Sequence, residues 1–270
     1  MNNQPIGVFD SGVGGLTVLE NLQGYFPNER FIYVGDTARV PYGSMRGEDV
    51  LKYSIEIVEW LLKHDVKAIV VACNTVSCLC LEYLKQHYNI PIFGMIDAGV
   101  ETIVDFQRSK DVPQLVGIIG TKNTINSNRY NKELESEGFS GTLTYSSCPL
   151  FVPVIEEGIK NDSVWSAIID FHLHEMKSNK LNAILLACTH YPIIINYLQQ
   201  YLGNSVEVLN PNRTLCKQIE LFLSETDLLK GGGVLGETEL NVTGSESSFF
   251  EFLNSYLNYK HDKINIIHLE

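Results

Sequence analysis

The octet AIVVACNT, residues 68–75, recurs later in this chain of 270 residues as AILLACTH, residues 183–190. Each octet is a short apolar run that ends in Ala-Cys and two polar residues. An apolar run of this length between polar residues is typical of a strand buried on both faces, as in a parallel sheet covered by helices. Cys73 and Cys188 would then lie at the carboxyl ends of two strands, where open α/β sheets bind ligands.

Strands and helices are expected to alternate along the whole chain, which predicts βαβ units and parallel sheets. The apolar runs predict strands at 5–9, 31–34, 68–75, 90–93, 115–119 and 183–190. The amphipathic segments predict helices at 12–21, 50–62, 76–87, 126–137, 165–176 and 193–201. Because the octet is doubled, the predicted fold class is α/β with two similar lobes, each a mostly parallel sheet flanked by helices. A second pair of similar segments supports two similar lobes: GVFDSG from Gly7 and GIIGTKNT from Gly117. Each is expected to be a strand that runs into a polar turn.

The composition favours a role with small molecules. Lys+Arg 20 against Asp+Glu 32 gives a net charge of −12, which disfavours nucleic acid or an anionic membrane as the main partner. No apolar run approaches the roughly 18 residues that span a bilayer, and MNNQPIGVFDSG lacks the features of a secretion signal. We therefore expect a cytoplasmic location.

The six cysteines are expected to be reduced thiols and not a disulfide framework. Cys78 and Cys80 are two residues apart, so on the helix expected there they face different sides and do not predict a zinc site. We expect no metal ion, and we interpret four of the six as packing residues: Cys78, Cys80, Cys148 and Cys216.

The glycine-rich segment VFDSGVGG does not predict a nucleotide site. It resembles the dinucleotide fingerprint, but Thr17 stands where that fingerprint requires its last glycine. Asp10 and Ser11 in this segment have an ordinary interpretation as helix caps, which is compatible with a functional one. No Walker A lysine or other recognisable cofactor motif occurs in the sequence. We therefore expect no cofactor, which leaves the two thiols to do the chemistry.

Cys73 and Cys188 are the candidate catalytic groups. A lone buried cysteine is more often a small apolar residue, but two at the ends of twin strands favour a function. The positive end of a following helix dipole is expected to lower a thiol pKa from about 8.5 toward neutrality. Two opposed thiols suit the transfer of a proton from one face of a carbon to the other. A cysteine protease would need a single cysteine with a histidine base.

A non-catalytic alternative remains open at this point. Two lobes around a cleft would equally suit a protein that binds or senses an amino acid. Reactive thiols on both sides of the ligand would serve no purpose there, because binding needs no base.

Several motifs resemble the glutamate racemase family, cofactor-independent enzymes that make D-glutamate for the bacterial cell wall. They occur in the family's order: GVFDSGVGGLTVL, YVGDTARVPYGS, VVACNTVS, CPLFVPVIEEG and LLACTHYP. VTGSESSFFEFLNSYL and INIIHLE extend the resemblance to the C-terminus. Aspartate and hydantoin racemases share the paired cysteines but typically lack the Thr-His-Tyr-Pro sequence that follows Cys188 here. That sequence therefore favours the glutamate racemases. One departure is Ala187, where the family usually has Gly.

The resemblance implies a two-base racemase that interconverts L-glutamate and D-glutamate for peptidoglycan synthesis. It implies an active site in the cleft between a first lobe, 1–96 and 210–270, and a second lobe, 97–209. It also implies a homodimer.

The resemblance further implies roles for individual residues. Cys73 and Cys188 match the two catalytic cysteines, the first assigned to the D-enantiomer and the second to the L-enantiomer. Asp10 and His190 match residues that assist them, with Glu156 near His190. The matching substrate-binding set is Asp10, Ser11, Tyr42, Gly43, Asn74, Thr75, Thr189 and His190.

Overall fold

The computed structural model describes residues 3–230, 232, 234–256 and 264–269. Within these residues it contains the strands β1 (Ile6–Asp10), β2 (Phe31–Gly35), β3 (Ala68–Val71), β4 (Ile92–Gly94), β5 (Leu115–Gly120), β6 (Thr142–Ser147), β7 (Ala183–Ala187), β8 (Glu207–Leu209), β9 (Thr238–Val242) and β10 (Ile264–Ile266). The strands form a six-stranded sheet, in the order β10-β9-β2-β1-β3-β4, and a four-stranded sheet, in the order β6-β5-β7-β8. All their pairings are parallel.

Helices cover these sheets and connect their strands. They are α1 (Leu16–Tyr25), α2 (Gly47–Lys63), α3 (Asn74–His87), α4 (Met95–Arg108), α5 (Lys122–Asn126), α6 (Arg129–Ser136), α7 (Phe151–Glu156), α8 (Asp162–Ser178), α9 (Ile195–Leu202), α10 (Asn212–Glu225) and α11 (Glu246–Tyr256). Short 3₁₀ helices lie at Tyr42–Ser44 and Tyr191–Ile194. None of the helices in the described part of the chain is both long and apolar enough to cross a membrane.

We call the part built on the six-stranded sheet the first lobe and the part built on the four-stranded sheet the second lobe. The predicted α/β class, with two lobes of parallel sheet flanked by helices, is confirmed. The two octets supply β3 and β7, and every residue of both strands is buried, as an apolar run predicts for a strand covered on both faces. β9 and β10 come last in the chain but belong to the first lobe.

The lobes pack against each other through a shared apolar core. Buried side chains form two clusters, and each cluster contains residues of both sheets, such as Val8 with Leu186 and Val71 with Leu185. A polar contact reinforces this packing, since the Thr17 hydroxyl in α1 donates to the carbonyl oxygen of Thr189, at 2.8 Å. Apolar packing and this hydrogen bond therefore join the two lobes.

Several predicted element boundaries were wrong. The helix predicted at 126–137 is two helices, α5 and α6, because Asn128 adopts a left-handed conformation with φ 53° between them. The helix predicted from residue 12 begins only at Leu16, after a loop of glycines. The helix predicted at 193–201 follows a 3₁₀ turn, so α9 begins at Ile195. α4 was not predicted, and it crosses the expected lobe limit between residues 96 and 97.

Candidate active site

A cavity of about 450 Å³ lies between the lobes, at the carboxyl ends of their strands. From the first lobe it is lined by segments that directly follow β1 and β3, and from the second lobe by segments that follow β5, β6 and β7. Ligands in open parallel sheets bind at this edge. The position of the cavity thus follows from the direction of the strands in both sheets.

The residues singled out from the sequence meet at this cavity. Asp10 is fully buried behind the wall and is not part of the lining. The others contribute directly to the lining: Ser11, Tyr42, Gly43, Cys73, Asn74, Thr75, Glu156, Cys188, Thr189 and His190. Segments far apart in the chain are thus brought within one volume of amino-acid size.

Cys73 follows β3 and occupies the N-cap position of α3. Its side chain is 4% exposed, and its Sγ donates to the hydroxyl oxygen of Ser11 at 3.5 Å. Burial, with a further contribution from the charge of Asp10, raises the pKa of Cys73 to about 11, against the smaller opposing effects of Ser11 and the backbone N–H of Val76. The thiol therefore keeps its proton at neutral pH.

Cys188 occupies the corresponding place after β7 and is 6% exposed. Its Sγ lies 4.0 Å from Nδ1 of His190. Burial raises the pKa of Cys188 well above its ordinary value, the backbone N–H of His190 lowers it, and the negative charge of a Cys73 thiolate raises it. A negative charge on Cys73 would therefore disfavour the thiolate form of Cys188.

The expectation that helix dipoles lower both thiol pKa values is wrong for this structure. Cys73 does lie at a helix N-terminus, but the loss of hydration on burial outweighs the dipole. Cys188 is followed by the 3₁₀ helix Tyr191–Ile194, so no α-helix begins directly after it. Each thiol needs a neighbouring group before it can act as a base.

His190 connects Cys188 to a carboxylate. Its Nε2 lies 2.9 Å from Oε1 of Glu156, on the opposite side of the ring from Nδ1. An imidazole whose Nε2–H donates to a carboxylate leaves Nδ1 as the acceptor when the ring is neutral. Glu156 therefore orients His190 so that the unprotonated nitrogen faces the thiol of Cys188.

Asp10 is held by the loop that follows β1. Its Oδ2 accepts from the backbone N–H of Gly12 at 3.0 Å, and the hydroxyl of Thr189 lies 3.5 Å from Oδ1. Burial raises the pKa of Asp10, while His190 and the N–H groups of Gly12 and Gly15 lower it. Asp10 thus links the loop of the first lobe to the strand end that carries Cys188.

The glycines of VFDSGVGG serve close packing around the site. A Cβ at Gly14 would lie 2.3 Å from Nδ1 of His190, and one at Gly15 would lie 2.4 Å from Cβ of Asp10. Neither distance is sterically tolerable. The glycine pattern that imperfectly resembles a dinucleotide loop is thus explained by the approach of Asp10 and His190 to this backbone.

A buried polar network supports the cavity wall at Tyr42. The hydroxyl of Tyr42 donates to the carboxylate of Asp36. The same carboxylate accepts from Nε of Arg39 at 2.8 Å and from the hydroxyl of Thr243 at 2.7 Å. Thr243 directly follows β9, so the last part of the chain helps to fix the loop that carries Tyr42 and Gly43.

Sequence reasoning missed part of the lining. Thr121 and Lys122 follow β5, and the Thr121 hydroxyl lies 2.9 Å from that of Thr75 across the cleft. The similarity of GIIGTKNT to GVFDSG was the sequence signal that could have identified Thr121 and Lys122 as lining residues. Cys148 also lines the cavity, which corrects its assignment to packing alone. Burial raises the pKa of Cys148 to about 12, so it stays a neutral thiol.

The chemical character of the site is that of two neutral thiols with carboxylate and imidazole neighbours. Within the described part of the chain, no group of three or more His, Cys, Asp or Glu side chains is arranged to hold a metal ion. The two thiols follow equivalent strands of different lobes and line the same cavity. Such an arrangement can exchange protons with two sides of one carbon atom.

Comparison with known proteins places the chain among racemases. The sequence profile of the family described as Asp/Glu/Hydantoin racemase matches residues 16–219. A glutamate racemase of Thermoanaerobacter pseudethanolicus is 33% identical over 270 residues, which cover 100% of this chain and 98% of the relative. A glutamate racemase of Aquifex pyrophilus is 39% identical over 220 residues, covering 82% of this chain and 84% of the relative.

Solved structures agree with the sequence comparison. A glutamate racemase from Bacillus anthracis superimposes with a TM-score of 0.93 at 29% identity, over 100% of this chain and 99% of that one. A glutamate racemase from Francisella tularensis, solved in complex with D-glutamate, gives a TM-score of 0.90 at 32% identity with the same coverage. The match over most of the chain, the shared fold and the cavity with its two thiols lead to one conclusion: the chain belongs to the Asp/Glu/Hydantoin racemase family.

Proposed function

We propose that this protein is a glutamate racemase that interconverts L-glutamate and D-glutamate without a cofactor and supplies D-glutamate for peptidoglycan. The observation that carries the proposal is the placement of Cys73 and Cys188 on one cavity, at equivalent strand ends of two lobes. The choice of glutamate is supported by relatives that bear the name glutamate racemase and align over nearly the full length of the chain.

In the proposed mechanism, one thiolate removes the α-proton and the thiol on the opposite side delivers a proton to the carbon. For L-glutamate, Cys188 is the base and Cys73 is the acid, and the roles exchange for D-glutamate. No net electron transfer occurs, and the configuration at the α-carbon inverts. Because burial raises the pKa of both thiols, each must be activated when substrate binds.

The two thiols have different helpers in this proposal. Nδ1 of His190 accepts the proton of Cys188, and Glu156 stabilises the imidazolium that forms. On the other side, the ammonium group of the substrate offsets the negative charge of Asp10, which lies close enough to raise the pKa of Cys73. Substrate binding then favours the thiolate at Cys73.

The carbanion formed on removal of the α-proton needs stabilisation, because an amino-acid α-proton is far less acidic than a thiol. Hydrogen-bond donors preorganised around the carboxylate stabilise the developing enediolate-like charge. Asn74, Thr75 and Thr189 line the cavity beside the two cysteines and can supply these donors. Water in the site would weaken these hydrogen bonds. Exclusion of water from the cavity when substrate binds therefore strengthens them.

We also propose the organisation that the family resemblance implies. The first lobe comprises 1–96 and 210–270, the second lobe comprises 97–209, and the protein acts in the cytoplasm as a homodimer. Membership of β9 and β10 in the first sheet supports the return of the chain to the first lobe. Residues 1–2, 231, 233, 257–263 and 270 of the first lobe lie outside the described part. Light scattering on a size-exclusion column tests the dimer, for which the expected mass is twice 30.3 kDa.

The decisive experiment follows the optical rotation of L-glutamate and of D-glutamate in the presence of the purified protein. The rotation should decay to zero from either enantiomer, in a buffer with EDTA and without pyridoxal phosphate. Binding of glutamate without any change in rotation would instead support an amino-acid sensor. Decay only after a cofactor is added would contradict the cofactor-independent mechanism.

A further inference from the structure

Asn74 has a buried amide nitrogen without a partner. The residue lines the cavity directly after Cys73. Its Nδ2 is buried and has no hydrogen-bond acceptor among the described residues, whereas its Oδ1 accepts a hydrogen bond from the hydroxyl of Tyr130 at 3.3 Å. A buried donor without a partner is unfavourable unless a ligand provides an acceptor. The N–H groups of Asn74 are therefore available to a ligand.

The orientation of this amide depends on Tyr130. A side-chain amide has a donor end and an acceptor end of nearly the same shape, so its neighbours decide which end faces the ligand. Burial raises the pKa of Tyr130 well above its ordinary value, so the hydroxyl keeps its proton. Within the described part of the chain, Oδ1 of Asn74 is the acceptor for that proton. If the amide were rotated by 180°, Tyr130 would lose this acceptor.

The Tyr130 hydroxyl is held in place by the helix against which it lies. Tyr130 belongs to α6 of the second lobe, and its ring is buried. A Cβ at Gly99 of α4 would lie 2.7 Å from the tyrosine oxygen, so the absence of a side chain there leaves room for the hydroxyl. Tyr130 is not part of the cavity lining, but its hydroxyl is hydrogen-bonded to Asn74, which is.

We propose that Tyr130 is a positioning residue, which holds Asn74 across the cleft with its amide N–H groups free to bind the α-carboxylate of the substrate. The inference rests on the proposed racemase function, because it takes an amino-acid carboxylate as the ligand. Since Tyr130 and Asn74 belong to different lobes, the donor is set only when the lobes are packed as they are in this structure. Binding of the carboxylate by Asn74 thus depends on the packing of the two lobes, through this hydrogen bond.

The first test is Tyr130→Phe, which keeps the ring and removes the hydroxyl. We expect kcat/KM to fall about tenfold for both enantiomers, and the Kd for D-glutamate in calorimetry to rise by a similar factor. The matched control is Tyr145→Phe, in the same lobe, where the lost hydroxyl lies 3.5 Å from Oδ1 of Asn131 and away from the cavity. The control should leave both quantities unchanged. Wild-type kinetics in Tyr130→Phe would overturn the proposal.

A double-mutant cycle separates positioning from simple packing. D-Glutamate binding is measured for Tyr130→Phe, Asn74→Ala and the double variant. If Tyr130 acts through Asn74, its substitution weakens binding in the wild-type background and has no further effect in the Asn74→Ala background. Equal weakening in both backgrounds means that Tyr130 acts independently of Asn74 and overturns the inference.

Failure of the proposed function has a different signature. A wild-type protein that binds D-glutamate but leaves its optical rotation unchanged is not a racemase, yet the cycle still decides whether Tyr130 positions Asn74. A wild-type protein that binds no D-glutamate overturns both statements.

Discussion

Glu156 and His190 form a contact of 2.9 Å between Oε1 and Nε2, on the side of the imidazole opposite to Cys188. The carboxylate belongs to the end of α7 and the imidazole to the segment after β7, so two elements of the second lobe fix the ring beside the thiol. Because burial raises the pKa of Cys188, the thiolate does not form at neutral pH without such a base.

The first prediction concerns this contact. His190→Asn should lower kcat by about 100-fold and change KM much less, because general-base assistance contributes about that factor to a proton transfer. Glu156→Gln should lower kcat by about tenfold, since the imidazolium loses its stabilising charge. Racemisation is measured by circular dichroism in both directions.

Glu157→Gln provides the control for the loss of a cavity carboxylate. Glu157 lines the same cavity, but the structure gives it no hydrogen bond to His190. We expect this variant to keep at least half of the wild-type kcat. If His190→Asn and Glu157→Gln reduce kcat equally, the imidazole has no specific role.

The second prediction concerns stability in alkali. Burial raises the pKa of Cys216 to about 12, from about 9 in the unfolded chain. As the pH rises above about 9, the unfolded chain loses this proton first and unfolding becomes more favourable. The stabilising contribution is thus complete below pH 9 and is lost as the pH rises toward 12. One such thiol contributes at most about 1.4 kcal/mol per pH unit to the slope.

Cys216→Ala tests this contribution. The free energy of unfolding is measured in urea at intervals between pH 7 and pH 10.5, and the variant should show a shallower decline above pH 9. The core substitution changes stability at every pH, so the slope is compared and not the absolute value. Identical slopes in both proteins would mean that Cys216 does not titrate on unfolding in this range.

The third prediction concerns a buried ion pair that anchors the segment after α10. Nζ of Lys67 lies 2.6 Å from Oε2 of Glu29, and their side chains are only 1% and 2% exposed. Lys67 also donates to the carbonyl oxygen of Leu228 at 2.7 Å, and Oε1 of Glu29 accepts from the backbone N–H of Lys230 at 2.7 Å. The pair therefore joins the segments that precede β2 and β3 to the chain that leads from α10 toward β9.

Lys67→Met should lower the free energy of unfolding by about 3–5 kcal/mol, because it leaves the Glu29 carboxylate buried without its counterion. The double variant Lys67→Met with Glu29→Leu should recover most of this loss. Lys85→Met is the control, since its pair with Asp97 is 42% and 43% exposed and such pairs contribute about 0–1 kcal/mol. Similar losses in Lys67→Met and Lys85→Met would contradict the importance of burial.

The sequence was sufficient to predict the fold class because its strongest signals are local. The apolar runs of the two octets give β3 and β7, and their repetition gives two lobes. β6 was missed because TLTYSS is polar and only partly buried, so it carries no apolar run. Because β6 was missed, the pattern of apolar runs did not place Cys148 after a strand that ends at the cavity.

The electrostatics of the site could not be predicted from local sequence. The pKa of Cys73 depends on how deeply both lobes bury it and on the nearby charge of Asp10, and neither is encoded in the helix that follows it. Likewise, only the folded chain reveals that Gly14 makes space for His190. Such contacts between distant segments require tertiary structure.

The last prediction tests the two thiols separately. Cys73→Ala and Cys188→Ala should each abolish racemisation in both directions, because inversion needs a base and an acid on opposite sides of the α-carbon. A lone thiol can still remove a proton and return a solvent proton to its own face. In deuterated water, Cys73→Ala should slowly exchange the α-proton of L-glutamate, and Cys188→Ala that of D-glutamate, both without inversion.

Proton NMR with each variant and each enantiomer distinguishes the outcomes of this experiment. Opposite preferences are expected because the thiols come from different lobes and line the same cavity from the ends of β3 and β7. Cys216→Ala, which removes a buried thiol outside the cavity lining, should racemise both enantiomers as the wild type does. Racemisation by either single active-site variant would mean that one thiol is sufficient. Exchange of the same enantiomer by both variants would mean that Cys73 and Cys188 do not face opposite sides of the substrate.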